Sequence, residues 1–299
     1  MTSSAPESPP ESSRRPTACR LAVLGSPIAH SKSPQLHLAA YQALGLDWEY
    51  TRADVAPGEL SDFVLGLDES WRGLSLTMPL KEEVLSLIDS ADVQSLLTGA
   101  ANTVLFGRSG DALSVQGFNT DVGGIVDALA GTGISRSSEV LILGAGATAR
   151  SSVVAAAELG AEHVTIAARS PQKAEQITAV ATNAGVAVSV VWLADVLGAE
   201  VDAPVTISTL PGGALTAADI AGFAPTPGAA LLDVAYDPWP SPLAEAWQSR
   251  GGVAVSGLWM LAHQALAQVR IFVNGDPQLR LADEPAVFAA MTRAIGLTA

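Results

Sequence analysis

Two side chains with acid–base chemistry, Lys81 and Asp121, each stand at the start of a predicted helix. Lys81 ends the segment LTMPLK over residues 76–81, so its ammonium falls in a first helical turn, where the helix dipole opposes a cation. That placement indicates a specific role, although an exposed lysine balanced by the two glutamates that follow is the alternative. Asp121 is either a helix N-cap or the partner that holds the ammonium beside a reacting oxygen.

Hydroxyl and amide side chains elsewhere in the chain could bind an oxygen-rich anion. Ser31 and Ser33 flank a lysine directly before a predicted helix, where two hydroxyl donors and the positive end of the helix dipole suit a carboxylate. Asn102 precedes an apolar strand, Gln264 lies on an otherwise apolar helix, and Tyr236 follows a strand, where doubly wound sheets bind ligands. The alternatives are a simple N-cap role for Ser33 and turn or loop roles for the other residues.

A glycine turn in the middle of the chain predicts a dinucleotide site. Residues 139–143 are a short apolar run typical of a buried strand, and GAGATA over residues 144–149 leads from it into an apolar-periodic helix. Glycines let the backbone approach a pyrophosphate, and the helix N-terminus supplies free N–H groups. The residues expected against the cofactor are Gly144, Gly146, Ala147, Thr148 and Ala149.

The next predicted strand, residues 163–167, indicates which dinucleotide binds. An NAD site has Asp or Glu near the end of this strand to hold the ribose hydroxyls. This chain instead continues with Arg169, Ser170 and Lys173, so two cations could face a 2′-phosphate. Solvated surface charges are the alternative. However, lysine is scarce in the chain, and each lysine falls in one of the candidate site segments described so far. The pattern favours NADP over NAD.

Composition restricts the remaining classes of protein. The 299 residues suggest roughly two domains, and 48% hydrophobic content can fill their cores. A net charge of −14 argues against nucleic acid and anionic membranes as partners, and no apolar run approaches a membrane span. The single cysteine, Cys19, excludes an internal disulfide and fits a reducing, cytoplasmic compartment. The four histidines lack metal-ligand spacing, so we expect no metal site.

Alternating strand and helix patterns predict an α/β fold in two parts. Residues 1–18, rich in Ser, Pro and Glu, predict a disordered tail. Because the glycine turn comes late, residues 19–130 are expected to form a substrate-binding catalytic domain. Residues 131–273 would form a Rossmann-type dinucleotide-binding domain, and the C-terminal helices, about residues 274–299, would pack back on the first domain.

Taken together, the motifs resemble the shikimate dehydrogenase family. The resemblance extends from about Leu21 to Phe272 and is carried by the order and spacing of segments 28–34, 76–81, 101–103, 119–121, 144–150, 168–170, 236–238 and 257–265. It implies reversible NADPH-dependent reduction of 3-dehydroshikimate to shikimate, in aromatic amino-acid biosynthesis. It also implies an active site in the cleft between the substrate domain and the Rossmann-type domain. The sequence leaves open whether the chain acts as a monomer or a homodimer.

The resemblance also implies roles for individual residues. Lys81 and Asp121 would form the catalytic pair, with Lys81 acting chiefly as an oriented charge and proton donor, and Gly257 would lie near the nicotinamide. The serines and the tyrosine would bind a carboxylate, and the other polar side chains would bind ring hydroxyls. The substrate-binding set would be Ser31, Ser33, Thr77, Asn102, Tyr236 and Gln264.

Three positions depart from the family pattern. Ser75 and Ala168 stand where the family often has Asn, and residues 208–211 (STLP) replace a run resembling Asn-Ala-Thr. A quinate or aminoshikimate dehydrogenase on the same scaffold is therefore an alternative function. A non-catalytic sensor of shikimate-pathway ligands is disfavoured, because Lys81 and Asp121 are both present.

Overall fold

Two six-stranded sheets organise the computed structural model, which describes residues 19–109 and 112–297. The side chains of residues 109, 171–173 and 175 are outside that description. The predicted tail over residues 1–18 and the predicted cofactor contact of Lys173 therefore lie outside the described residues.

The first sheet is mixed and has the order β2-β1-β3-β5-β6-β4. Strands β1, β2 and β3 run parallel, whereas β5 runs antiparallel to both of its neighbours. The elements of this half of the chain are β1 (Arg20–Gly25), α1 (Ser33–Ala43), β2 (Glu49–Asp54), α2 (Leu60–Leu65), β3 (Trp71–Leu76), α3 (Leu80–Glu83) with a 3-10 turn (Val84–Ser86), β4 (Ser90–Ala91), α4 (Val93–Thr98), β5 (Thr103–Ser109), β6 (Ala112–Phe118) and α5 (Asp121–Ala130).

The second large sheet is entirely parallel and has the order β14-β13-β11-β7-β8-β9. The chain leaves β7 in one direction toward β8 and later returns on its other side at β11, so the glycine turn after β7 lies at the switch point of a Rossmann-type fold. Strands β10 and β12 form a separate pair. The elements are β7 (Glu139–Leu143), α6 (Ala147–Glu158), β8 (His163–Ala168), α7 (Pro171–Ala184), β9 (Ala187–Trp192), α8 (Leu193–Leu197), β10 (Glu200–Val201), β11 (Val205–Ser208), β12 (Ala224–Pro225), β13 (Ala230–Asp233), α9 (Pro242–Ser249), β14 (Val253–Ser256), α10 (Gly257–Asn274) and α11 (Glu284–Ala294).

The predicted α/β architecture is confirmed, but apolar periodicity does not predict α4. Its polar residues Ser95 and Thr98 are fully buried, whereas its apolar residues Val93 and Leu96 are 68% and 71% exposed. Periodicity of apolar residues predicts a helix only where the apolar face is the buried one. The helix is fixed instead by its ends, with the Asp92 carboxylate accepting the N–H of Ser95 at 2.7 Å.

Helices α5 and α10 are exchanged between the two halves of the molecule. The apolar face of α5, with Val122 and Ile125, packs in the core of the parallel sheet that follows it. The apolar face of α10, with Val269 and Phe272, packs in the core of the first sheet together with α1 and α11. The predicted domain limits at residues 130 and 273 assign α5 to the first domain and α10 to the second, whereas their apolar faces pack the other way round. Amphipathic spacing shows that a helix face is buried but not which sheet covers it.

Gly124 permits the close contact of α5 and α10. A Cβ atom added there would lie 2.9 Å from the Cβ of Gln264 and 2.9 Å from the carbonyl oxygen of Met260. The neighbouring residue Gly123 is exposed, and a Cβ there would meet nothing within 4 Å. Only one of these two adjacent glycines is therefore required by packing.

Replacing each glycine with alanine tests this contact. Gly123→Ala is expected to raise the free energy of unfolding by about 0.5–1 kcal/mol through helix propensity. Gly124→Ala is expected to lower it by about 1–3 kcal/mol, because the new methyl group overpacks the interface. Denaturant unfolding of both variants measures the difference, and a shift of both in the same direction would contradict a packing role for Gly124.

Candidate active site

A cavity of about 290 Å³ lies between the two sheets and is lined from both sides. Loop and helix residues of the first half face the residues that follow β13 and the first turns of α10. The structure brings together in this cavity all of the sequence-predicted catalytic and substrate-binding residues, namely Ser31, Ser33, Thr77, Lys81, Asn102, Asp121, Tyr236 and Gln264.

Lys81 and Asp121 form a direct ion pair, with Nζ 2.5 Å from Oδ2. The side chains are only 13% and 4% exposed, so water screens the pair weakly. Asp121 is the first residue of α5, where Thr120 occupies the N-cap position without a side-chain cap. The N-cap interpretation of Asp121 is therefore wrong, because its carboxylate accepts from Lys81 and from Asn102 instead.

The alternative of a lysine balanced by the glutamates that follow it is also wrong. Glu82 pairs with Arg150, and Glu83 accepts backbone N–H groups of the α2 segment, so neither compensates Lys81. Helix α3 has only four residues, and its dipole is a small influence on the ammonium. Lys81 faces the cavity because its helix begins directly after the loop that leaves β3.

Asn102 organises the polar groups around Asp121. Its Nδ2 donates to Asp121 Oδ1 at 2.8 Å and to Gln264 Oε1 at 3.2 Å, and its Oδ1 accepts the Thr120 N–H at 3.0 Å. Gln264 in turn donates to the carbonyl oxygen of Leu261 at 2.9 Å. The side-chain amides of Asn102 and Gln264 are thus fixed in orientation. Asn102 binds Oδ1 of Asp121, and Oδ2 binds Lys81.

A buried hydrogen-bond chain that the sequence did not predict forms the inner wall of the cavity. Tyr50 donates to Ser75 at 2.7 Å, Ser75 donates to Gln268 Oε1 at 3.0 Å, and Nε2 of His37 lies 3.1 Å from that same oxygen. Burial lowers the pKa of His37 to about 3, so the ring is neutral and donates from Nε2. Gln268 follows Gln264 by one helical turn, and that spacing is the signal that could have identified it.

The far end of the cavity carries the predicted carboxylate site. Ser31 and Ser33 lie there, and Tyr236 lines it from the other half of the molecule. The N-cap residue of α1 is Lys32, with no side-chain cap, so an N-cap role for Ser33 is wrong. Arg52 donates to the Ser31 carbonyl oxygen from Nε at 2.9 Å and from a terminal nitrogen at 2.6 Å, which fixes this loop.

Tyr236 lies between two opposite charges at this end. Burial raises the pKa of its hydroxyl, and the Asp237 carboxylate raises it further, whereas the positive charge of Arg52 acts in the opposite direction. The hydroxyl is therefore protonated at neutral pH and available as a donor. Arg52 is a residue that the sequence analysis missed, because nothing in its local sequence places it beside Ser31.

A second cavity, of about 490 Å³, lies over the glycine turn. Gly146 is the N-cap of α6, and a Cβ there would meet nothing within 4 Å, so the free N–H groups of the helix face open space. Gly144 has a φ of +114°, which favours glycine. The predicted cofactor residues that line this cavity are Gly144, Gly146, Ala147, Thr148, Arg169 and Ser170.

Ala149 does not line the cofactor cavity. Its side chain is fully buried in the core between α6 and the parallel sheet. A small residue is needed there for close helix–sheet packing, which is the usual role of this position in the fingerprint. The predicted contact of Ala149 with a cofactor is thus corrected to a packing role. Residues 209–211, part of the departure from the family pattern, line the same cavity.

The two cavities meet at three shared residues, Thr77, Lys81 and Thr148. Gly257 lines the first cavity, and a Cβ there would overlap the backbone of Val234. A long ligand in the glycine-turn cavity would therefore end beside Lys81. The glycine turn, the open helix N-terminus and Arg169 together fit a dinucleotide phosphate.

Among residues 19–109 and 112–297, none of the helices is both long enough and apolar enough to cross a membrane. In the same part of the chain, no three His, Cys, Asp or Glu side chains lie together in a way that could hold a metal ion.

Known proteins match this chain in sequence and in fold. The family described as the shikimate dehydrogenase substrate binding domain matches residues 23–104. Shikimate dehydrogenase (NADP(+)) of Methanothermobacter thermautotrophicus is 34% identical over 271 residues, which cover 88% of this chain and 93% of the relative.

Two crystal structures extend the similarity to the fold. The shikimate dehydrogenase of Mycobacterium tuberculosis has 39% identity and a TM-score of 0.77, over 92% of this chain and 99% of that one. The shikimate 5-dehydrogenase of Thermus thermophilus, in complex with NADP(H) and shikimate, has 30% identity and a TM-score of 0.75, over 92% and 99%. The family expected from the motifs is confirmed, and the chain belongs to the shikimate dehydrogenase family.

Proposed function

We propose that this protein catalyses the reversible NADPH-dependent reduction of 3-dehydroshikimate to shikimate, as a cytoplasmic step of aromatic amino-acid biosynthesis. The observation that carries the proposal is the buried Lys81–Asp121 pair at the point where the two cavities meet. One cavity suits a small polyhydroxy acid and the other a dinucleotide. In this proposal residues 19–130 and 274–299 belong to the substrate domain and residues 131–273 to the cofactor domain, with α5 and α10 shared.

The proposed substrate orientation follows the polarity of the first cavity. The substrate carboxylate would lie against the hydroxyls of Ser31, Ser33 and Tyr236, where the charge of Arg52 also favours an anion. At the other end, the ring hydroxyls would be within reach of the threonine and amide side chains around Lys81. The reacting carbonyl would then lie between Lys81 and the cofactor cavity.

The proposed chemistry assigns one task to each member of the pair. NADPH supplies the hydride when it is bound. Lys81 has three N–H donors, of which one is used by Asp121, so the others can reach a substrate oxygen. The ammonium stabilises the negative charge that develops on the carbonyl oxygen and donates the proton, and in the reverse direction Lys81 takes that proton back. Asp121 orients the ammonium through the ion pair.

The proposed cofactor site uses the first turn of α6 and Arg169. The N–H groups of that turn would hold the pyrophosphate, and the guanidinium would bind the 2′-phosphate that distinguishes NADPH from NADH. Gly257, which lines the first cavity, would lie near the nicotinamide ring.

Oxidation of shikimate and of quinate, each with NADP⁺ and with NAD⁺, tests the proposed function. We expect turnover with shikimate and NADP⁺, followed by NADPH absorbance. A preference for quinate or for NAD⁺ would assign the protein to a different branch of the family. Ligand binding without turnover in any of the four combinations would contradict an enzymatic role.

Replacing Lys81 with Met tests the proton donor. We expect kcat to fall by about 10²–10⁴-fold, the range that a positioned general acid contributes. The single variant leaves a buried carboxylate unpaired, so Lys81→Met/Asp121→Asn serves as the stability-matched control. Turnover should be lost in both variants while the double variant unfolds close to the wild-type midpoint. Near-normal turnover in the double variant would exclude the assigned roles.

Replacing Arg169 with Ala tests cofactor selection. We expect the KM for NADPH to rise about tenfold, which corresponds to roughly 1.4 kcal/mol, while the KM for NADH stays the same. Arg293→Ala is the matched control, since Arg293 is an exposed arginine on α11 that lines neither cavity. An equal effect of Arg169→Ala on both cofactors would argue against a 2′-phosphate contact.

A further inference from the structure

Arg150 is a buried cation that the proposed reaction does not use. It is the fourth residue of α6, the helix that begins at the glycine turn, and it is only 6% exposed. A buried guanidinium is costly unless its donors are paired, so its partners indicate what it is for. Arg150 is not among the residues that line the cofactor cavity.

The side chain of Arg150 contacts partners in the first half of the chain. Nε donates to the carbonyl oxygen of Thr98 at 2.8 Å, and a terminal nitrogen donates to that of Gly99 at 3.4 Å. These carbonyls end α4, where unsatisfied oxygens and the negative end of the dipole suit a cation. The same terminal nitrogen lies 2.8 Å from Oε1 of Glu82 on α3.

These partners are directly connected to the catalytic pair. Glu82 follows Lys81 in α3, and the Lys81 carbonyl oxygen accepts the N–H of Ala101 at 2.8 Å. The segment held by Arg150 then continues into Asn102, which donates to Asp121. Arg150 therefore connects the helix beneath the cofactor phosphates to the backbone that positions both members of the pair.

Glu82 adds an electrostatic consequence. Its side chain is 56% exposed and lines the cofactor cavity, so an uncompensated carboxylate there would repel a polyanionic dinucleotide. The guanidinium of Arg150 neutralises that carboxylate from behind without occupying the cavity.

We propose that Arg150 is a positioning residue that couples the cofactor site to the catalytic lysine. It holds α3 and residues 98–102 against α6 in the geometry for proton transfer, and it neutralises Glu82 at the edge of the cofactor cavity. The catalytic half of this inference rests on the proposed function. Two other contacts between the halves, Asn119 to Ser151 at 3.2 Å and Gln94 to Glu158 at 2.5 Å, keep α6 docked when Arg150 is replaced.

Four proteins test the proposal: wild type, Arg150→Met, Glu82→Gln and Arg150→Met/Glu82→Gln. For each, kcat, the KM for NADPH and the Kd for NADPH by fluorescence titration are measured. Arg150→Met is expected to lower kcat at least tenfold and to weaken NADPH binding several-fold. The double variant should recover NADPH affinity but not kcat, and Glu82→Gln should bind NADPH at least as tightly as wild type.

Further variants separate positioning from folding. Arg150→Lys keeps the charge and should recover much of kcat, whereas Arg293→Met, which removes an exposed cation from α11, should change nothing. Unaltered kcat and Kd in Arg150→Met, or a kcat loss that equals the loss of folded protein, would overturn the proposal. So would a double variant that binds NADPH as weakly as Arg150→Met. If wild type does not oxidise shikimate, the proposed function fails, yet the Kd values still decide whether Arg150 neutralises Glu82.

Discussion

The close approach of α5 and α10 at Gly124 is the constraint on which the site depends. Asp121 begins one helix and Gln264 lies in the other, so their separation is fixed by how near the two helix axes come. With no side chain at Gly124, Gln264 packs directly on the α5 backbone, and Asn102 can bridge both groups. A wider crossing would place Asp121 and Gln264 beyond the reach of one amide, and the lysine would lose its oriented partner.

The cavity combines one charged pair with a neutral wall. Each polar atom of the Tyr50–Ser75–Gln268 chain has its partner on the protein side, so the wall costs little to bury and is rigid. His37 stacks on Tyr50 with ring centres 4.0 Å apart and stays uncharged. Negative charge that develops on a substrate oxygen would therefore interact mainly with Lys81, because this wall carries no charge of its own.

Local sequence predicted the parts of the site that depend on local structure. The glycine turn and Lys81 are recognisable because a tight turn and a residue at a helix start are determined by a few neighbouring positions. Helix α4 was missed because its buried face is polar, with Ser95 inside and Leu96 outside. The contacts of Gln268 and Arg150 were not predicted, because their partners lie far away in the sequence. Such contacts depend on tertiary packing, which the periodicity of apolar residues does not specify.

The exchange of α5 and α10 makes the cofactor-binding half inseparable from the rest of the chain. A fragment that began at β7 and ended at β14 would lack α5 and would expose the apolar face of the sheet around Val140 and Ile142 to water. A fragment that ended before β7 would in turn lack α10, which packs in the centre of its own core. Recombination between proteins of this fold must therefore move both helices together, and the nucleotide-binding half cannot be inherited as an independent module.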